Sequence, residues 1–175
     1  MKKKFLLHTC CAPCLVGANQ SIKDDFDIFW FNPNIFPKNE YDKRLKYLKY
    51  YAQLINKKFI AGDQYEDDNL SMEKLFSGLE NEPEGGKRCL KCFKYRLLVT
   101  AKYALDNNYQ YFSTTLTVSP HKDAAKINDL GRQISKQIGI KYQPLKNIDY
   151  KKSIIECREL NIYRQKYCGC TFSSK

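Results

Sequence analysis

Short apolar runs alternate with segments of helical period along almost the whole chain, and this alternation limits the fold more than any other feature. Phe5-Leu6-Leu7, Phe26-Asp27-Ile28-Phe29-Trp30-Phe31, a run near Lys58–Ala61 and Tyr111-Phe112-Ser113-Thr114-Thr115-Leu116 read as strands. Asn32-Pro33-Asn34 and Pro37 stop the second of them. Between the strands, helices are predicted over Cys14–Ile22 with Pro13 in the first turn, Glu40–Ile55, Tyr65–Phe76, and a segment marked by Phe93, Leu97, Ala101 and Ala104. Further helices are expected over Ala124–Ile138 and Lys152–Leu160, and Gly78–Lys87 reads as an irregular connection. Such alternation calls for an α/β fold, a parallel sheet flanked by helices on both faces. At 175 residues and 43% hydrophobic, residues 1–175 are expected to form one domain with a cysteine-bearing C-terminal tail. No apolar run approaches membrane-spanning length, and the apolar stretch after Lys2-Lys3-Lys4 is too short for a signal-peptide core. A cytoplasmic protein without a membrane partner is the expectation.

Eight cysteines fall at Cys10, Cys11, Cys14, Cys89, Cys92, Cys157, Cys168 and Cys170, mostly in three widely separated groups. In a reducing compartment, such grouping points to metal ligation or thiol redox work rather than a disulfide scaffold. Sites in an open parallel sheet form at the carboxyl ends of the strands. There, after the first strand, His8-Thr9-Cys10-Cys11-Ala12-Pro13-Cys14 stands where a glycine-rich phosphate loop would be. Backbone N–H groups at a helix start favour thiolate, the metal-binding form. Arg88-Cys89-Leu90-Lys91-Cys92 adds a CxxC at or near another helix start. Cys10, Cys11, Cys89 and Cys92 together supply the ligand count of a zinc site or a [4Fe–4S] cluster, and the adjacent pair favours the multi-iron case. The CxC of Cys168-Gly169-Cys170 can close into a strained, reducible disulfide or ligate a second metal. Cys157 lies in a helical pattern and reads as core; Cys14 could bind metal or pack beneath the turn. His8, a lone histidine, reads as a satisfied core residue. His121 follows a strand end near the predicted site, and Asp123 can either cap the next helix or transfer a proton.

Charge is segregated. Residues 63–84 hold eight acidic side chains and one lysine, while the rest of the chain carries 29 basic against 11 acidic residues, a charge of +18. A polyanion is the natural partner for such a surface. Tyr41, Tyr47, Tyr50 and Tyr51 interleave with Lys43, Arg44, Lys46 and Lys49, which suits unstacked RNA bases, although Tyr41, Leu45, Leu48, Tyr51 and Ile55 also keep a core helical spacing.

The blocks Leu6-Leu7-His8-Thr9-Cys10-Cys11-Ala12-Pro13, Phe31-Asn32-Pro33-Asn34-Ile35, Arg88-Cys89-Leu90-Lys91-Cys92-Phe93, Ser119-Pro120-His121-Lys122 and Tyr163-Arg164-Gln165 leading into Tyr167-Cys168-Gly169-Cys170 resemble, in matching order, the QueH-type epoxyqueuosine reductases. The resemblance implies a fold related to the nucleotide alpha hydrolases (the HUP fold), a [4Fe–4S] cluster, and reductive removal of the epoxide oxygen of epoxyqueuosine in the tRNA anticodon loop. It implies Cys10, Cys11, Cys89 and Cys92 as cluster ligands and Cys168 and Cys170 as a redox-active pair or second-metal ligands. Some relatives carry Asp at position 14, which suits a mononuclear iron or zinc ion that Cys14 could also hold. The reaction takes two electrons and two protons, so an external electron donor is expected. His121, Lys122 and Asp123 are candidate proton donors; Arg44, Lys122 and Arg164 are candidate tRNA contacts. For the tail to reach the site, residues Tyr163–Tyr167 must dock, with Tyr163 and Arg164 as anchors. The rival readings are a non-catalytic RNA-binding module with a structural four-cysteine zinc site, and a thiol oxidoreductase acting on proteins.

Overall fold

Phe5, Leu6 and Leu7 do form a buried strand, β1 (Lys4–His8), at the centre of a five-stranded sheet. A computed structural model describes residues 4–65 and 71–173. The strands β1, β2 (Asp25–Trp30), β3 (Phe59–Ala61), β4 (Tyr111–Thr114) and β5 (Lys141–Tyr142) lie in the order β3-β2-β1-β4-β5, all parallel. The register sets His8 level with Phe29 of β2 and Thr114 of β4, so three strand ends share one edge. Ile28, Phe29, Trp30 and Phe112 are fully buried, as strands covered on both faces must be.

Winding reverses at β1. Right-handed crossovers then send α1 (Ala12–Asn19) and α2 (Lys38–Leu54) to one face, and α4 (Lys87–Asp106) and α5 (Ala124–Ile138) to the other. The packing agrees: α1 lies against α2 and the last helix, α6 (Tyr150–Glu159), while α4 lies against α5, β1 and β4. The reversal point of such a sheet leaves a crevice at the carboxyl ends of its strands.

Several boundaries move from their predicted places, each for a local reason. Cys11 keeps extended backbone and starts α1 two residues early, with Pro13 in the first turn. Gly86, also extended, starts α4 at Lys87, so the CxxC lies inside the helix with both sulfurs on one face. The predicted strand to Leu116 stops at Thr114, whose hydroxyl accepts the Leu116 N–H at 3.1 Å and turns residues 115–117 into a 3-10 helix. The acidic helix predicted for Tyr65–Phe76 is instead a 3-10 turn at Asp63–Tyr65 and a short α3, Met72–Phe76; residues 66–70 lie outside the described part. The two-residue β5 escapes prediction because it is too short to show an alternating pattern.

The α5–β5 junction is close-packed. A Cβ on Gly131 would sit 2.5 Å from the Tyr142 ring, and that ring is itself tied to Asn128 by its hydroxyl at 2.8 Å. Gly131→Ala is therefore expected to lower stability by about 1–3 kcal/mol through overpacking, read as a lower denaturant midpoint. An unchanged midpoint would show that Tyr142 can move aside.

Candidate metal and redox centre

The edge where β1 ends carries the first cysteines, and backbone bonds hold it in place. Thr9 N–H donates to the Phe29 carbonyl at 2.9 Å, and the Asn32 amide donates to the Thr9 carbonyl at 2.9 Å. Cys10 N–H donates to the Thr115 hydroxyl at 3.1 Å, which ties the loop to the segment after β4. His8 beneath it is fully buried, hydrogen-bonded to Thr114 Oγ1 at 2.8 Å and to the Phe31 carbonyl at 3.2 Å. Burial, with Arg96 nearby, pushes its pKa down to about 3, so it stays neutral, as a core histidine should.

Cys10, Cys11 and Cys14 converge. Their three sulfurs lie within 4.8 Å of one another, all buried, the spacing of donors able to hold a metal ion. Hydrogen bonds from Cys11 and then Cys14 hold Cys10 well below the ordinary thiol range, overcoming its burial, with help from the charges of Lys122 and Arg96. Burial pushes Cys11 up to about 12, and donation to Cys10 raises Cys14.

Cys89 and Cys92 face the tail. Together with Asn34, Cys168 and Cys170 they line one small cavity. Burial raises both thiols, Cys92 to about 12 against the pull of Arg96. Cys168 also lines a second small cavity with Cys10, Lys122 and Arg96. Through Cys168, then, the two cysteine groups border on one region. Beside it opens a cavity of about 710 Å³, lined by Cys14, Lys122, Tyr150, Arg164, Gln165 and Cys168 among others. That volume suits a nucleoside-sized ligand.

The tail reaches this region because α2 holds it. The Arg44 guanidinium donates to the carbonyls of Cys168 at 2.8 Å and Tyr167 at 3.1 Å, and its Nε pairs with Glu40 at 2.6 Å. Tyr163 donates to the same Glu40 carboxylate at 2.9 Å, with the Lys43 ammonium 3.8 Å from its ring centre. Phe36 N–H donates to the Gly169 carbonyl at 2.7 Å. Gly169 has φ +116°, and a Cβ there would lie 2.8 Å from the guanidinium, so only glycine fits between the two cysteines. Gln165 donates its amide to Cys11 Sγ at 2.8 Å.

The sequence profile described as "Epoxyqueuosine reductase QueH" matches residues 5–175. The chain belongs to the QueH family. It is 40% identical to the Staphylococcus epidermidis epoxyqueuosine reductase QueH over 99% of this chain and 77% of that one. Against the Streptococcus pyogenes QueH the identity is 37%, over 100% and 72%. The Thermotoga maritima QueH is 34% identical, over 96% and 88%. The family is one of oxidoreductases, and no helix among the described residues is long and apolar enough to cross a membrane.

The chain distributes its expected site residues unevenly. Cys14 joins Cys10 and Cys11, while Cys89 and Cys92 sit with Cys168 and Cys170 rather than within the triad's spacing. Cys157 is core at 0% exposure. Tyr163 is the anchor expected of it. The guanidinium beside it is Arg44, not Arg164: Arg44 is 3% exposed with its donors turned inward, so it holds the tail and cannot meet tRNA as expected. Arg164 is exposed at the large cavity. Asp123 is exposed and accepts the Lys126 N–H at 3.1 Å, capping α5. That cap holds its carboxyl below the usual carboxylate range. His121 is exposed and lines the cavity beside the half-buried Lys122. Sequence reasoning passed over Arg96, fully buried and bonded to Cys92 Sγ at 3.9 Å and to Asn32 Oδ1. The signal was present: Cys89, Cys92, Phe93, Arg96, Leu97 and Thr100 form one buried helical stripe, and an arginine inside such a stripe needs a partner.

Proposed function

We propose that this chain reduces epoxyqueuosine in the tRNA anticodon loop to queuosine. The observation that carries the reading is that Cys14, of the Cys10-Cys11-Cys14 triad, and Cys168 line one nucleoside-sized cavity, while Cys168 also shares a small cavity with Cys10 and another with Cys89, Cys92 and Cys170. The donor set is all sulfur and, the half-buried Cys168 apart, buried, with Lys122 and Arg96 to offset negative charge, and such a set fits an iron–sulfur cluster. Cys10, Cys11, Cys89 and Cys92 are its proposed ligands, with Cys14 free to hold a second, mononuclear iron or zinc ion. When bound, the cluster would supply single electrons at low potential.

The chain's own residues supply the rest. The cavity takes the modified nucleoside, and Arg164 and Lys166, both exposed, meet phosphate at its mouth. Lys122 is the proton donor. Burial works against its charge, but Cys10, Cys168, Cys14 and Cys11 around it prevail and hold its pKa above the ordinary lysine value. Like any lysine it is protonated at neutral pH, and it lines the cavity proposed to take the epoxide. Opening the epoxide to an alkene and water consumes two electrons and two protons. Oxidation of the Cys168–Cys170 dithiol to a disulfide releases both, and an external donor must then reduce the pair again.

The test is direct. Anaerobically purified protein should be brown, with broad absorption near ~400 nm, and should convert epoxyqueuosine in an isolated anticodon stem-loop. Log affinity for that RNA should fall linearly with log salt, because phosphate contacts dominate. A colourless zinc-loaded protein that binds RNA without converting it would replace this reading with the structural-zinc module. Conversion of full-length tRNA alone would extend recognition beyond the anticodon arm.

A further inference from the structure

Arg96 is a buried cation whose partners among the described residues include no carboxylate. It is 1% exposed; Nη2 donates to the Asn32 side-chain oxygen, Nη1 points to Cys92 Sγ at 3.9 Å, and Nε has no partner. Removing a guanidinium from water without an anion costs several kcal/mol, so something must offset the charge. The groups that can become anions around it are thiols. Cys92 lies on one side, and on the other Arg96 lines a cavity together with Cys10 and Cys168. Asn32, which bonds Arg96, also holds the Thr9 carbonyl next to Cys10, so one amide links the guanidinium to the first cysteine loop. Neutral thiols leave Arg96 uncompensated. Metal-bound thiolates compensate it.

We propose that Arg96 is the internal counter-charge of the cysteine-bound centre, standing between Cys10 and Cys92 and setting how readily that centre accepts an electron. The inference rests on the reading that these cysteines hold an iron–sulfur cluster. A fixed positive charge stabilises the more negative, reduced state and so makes the potential less negative. Lys122 faces the same sulfurs from the half-buried rim, where salt screens it; Arg96 acts from the interior, where salt does not. Arg96 is thus a positioning and tuning residue, distinct from any group that touches substrate.

Its test is the midpoint potential of the loaded protein, measured anaerobically by spectroscopic redox titration. Arg96→Met is expected to shift the potential to more negative values, and Arg96→Lys to stay nearer the parent because the charge is kept. Asn32→Asp supplies a second route: it sets a carboxylate against Nη2 while giving up the amide's bond to the Thr9 carbonyl, and should shift the potential in the same negative direction, with an unchanged cluster spectrum showing that the Cys10 loop has stayed in place. Loaded variants with the parent's potential would overturn the inference while leaving the proposed function intact. If Arg96→Met does not fold, Asn32→Asp decides, and an unmoved potential there counts equally against it. A parent protein that takes up no cluster would remove both readings together.

Discussion

Arg44→Ala is expected to cost about 3–5 kcal/mol of stability, because it strands a buried Glu40 carboxylate whose side chain is only 11% exposed. The same change should cut turnover by about 100-fold or more, the scale seen when a reacting group is displaced by about 1 Å. Both effects have one origin. Arg44 holds the Cys168 and Tyr167 carbonyls, and Glu40, which it orients, holds the Tyr163 hydroxyl. Without the guanidinium, the tail loses two carbonyl anchors and Cys168 leaves the region it shares with Cys10, Cys89 and Cys92. Metal content should survive, since the triad is held by Asn32 and Thr115 rather than by α2. Arg44→Lys keeps the charge but not the fork that reaches three acceptors at once, so it should fall between. Denaturant unfolding and a multiple-turnover assay measure the two effects, and alkylation of Cys168 reports whether the tail has moved. Wild-type stability with wild-type turnover would dissociate the tail from Arg44.

Cys10→Ser should remove bound metal and activity together. Cys10 is the sulfur on which the site turns: it receives hydrogen bonds from Cys11 and Cys14, faces Lys122 and Arg96, and is the triad member held below the thiol range. A serine hydroxyl titrates far above a thiol and does not offer iron or zinc a soft donor. Cys89→Ser should have the same outcome if that sulfur completes the ligand set. Cys168→Ser should differ, leaving the absorption spectrum in place while stopping multiple turnover, since its proposed task is to store electrons. Metal analysis, the visible spectrum and a single- against multiple-turnover assay separate the three variants. Full metal content with normal turnover in Cys10→Ser would sink the ligand assignment. Loss of one metal equivalent in Cys168→Ser would make the tail a ligand rather than an electron store.

The helices α5 and α6 follow their predicted spans closely, and β1 and β2 match to within a residue or two. Their periodicity is local and strong, and Asp123 and Asp149 cap the two helices with side-chain acceptors. The acidic segment was less legible: one helix was expected over Tyr65–Phe76, whereas its described portion is the end of a 3-10 turn and the five residues of α3, which packs Met72, Leu75 and Phe76 inward.

The positions of the cysteines relative to the secondary structure were settled by the sequence itself. A strand, a turn with Pro13 and a helix place Cys10, Cys11 and Cys14 at a carboxyl edge, and a glycine-started helix places Cys89 and Cys92 one turn apart. These are short-range consequences of backbone preference. Which groups face one another depends instead on contacts more than a hundred residues apart: Arg44 with Cys168, Gln165 with Cys11, His8 with Thr114. Helical spacing does place Arg44 on the stripe of Leu48 and Tyr51, and Arg96 on that of Cys92 and Leu97, so both arginines are legible as buried. Their partners are not. A buried guanidinium is satisfied by whatever anion or carbonyl the winding of the sheet brings to it, and that winding is a property of the whole chain.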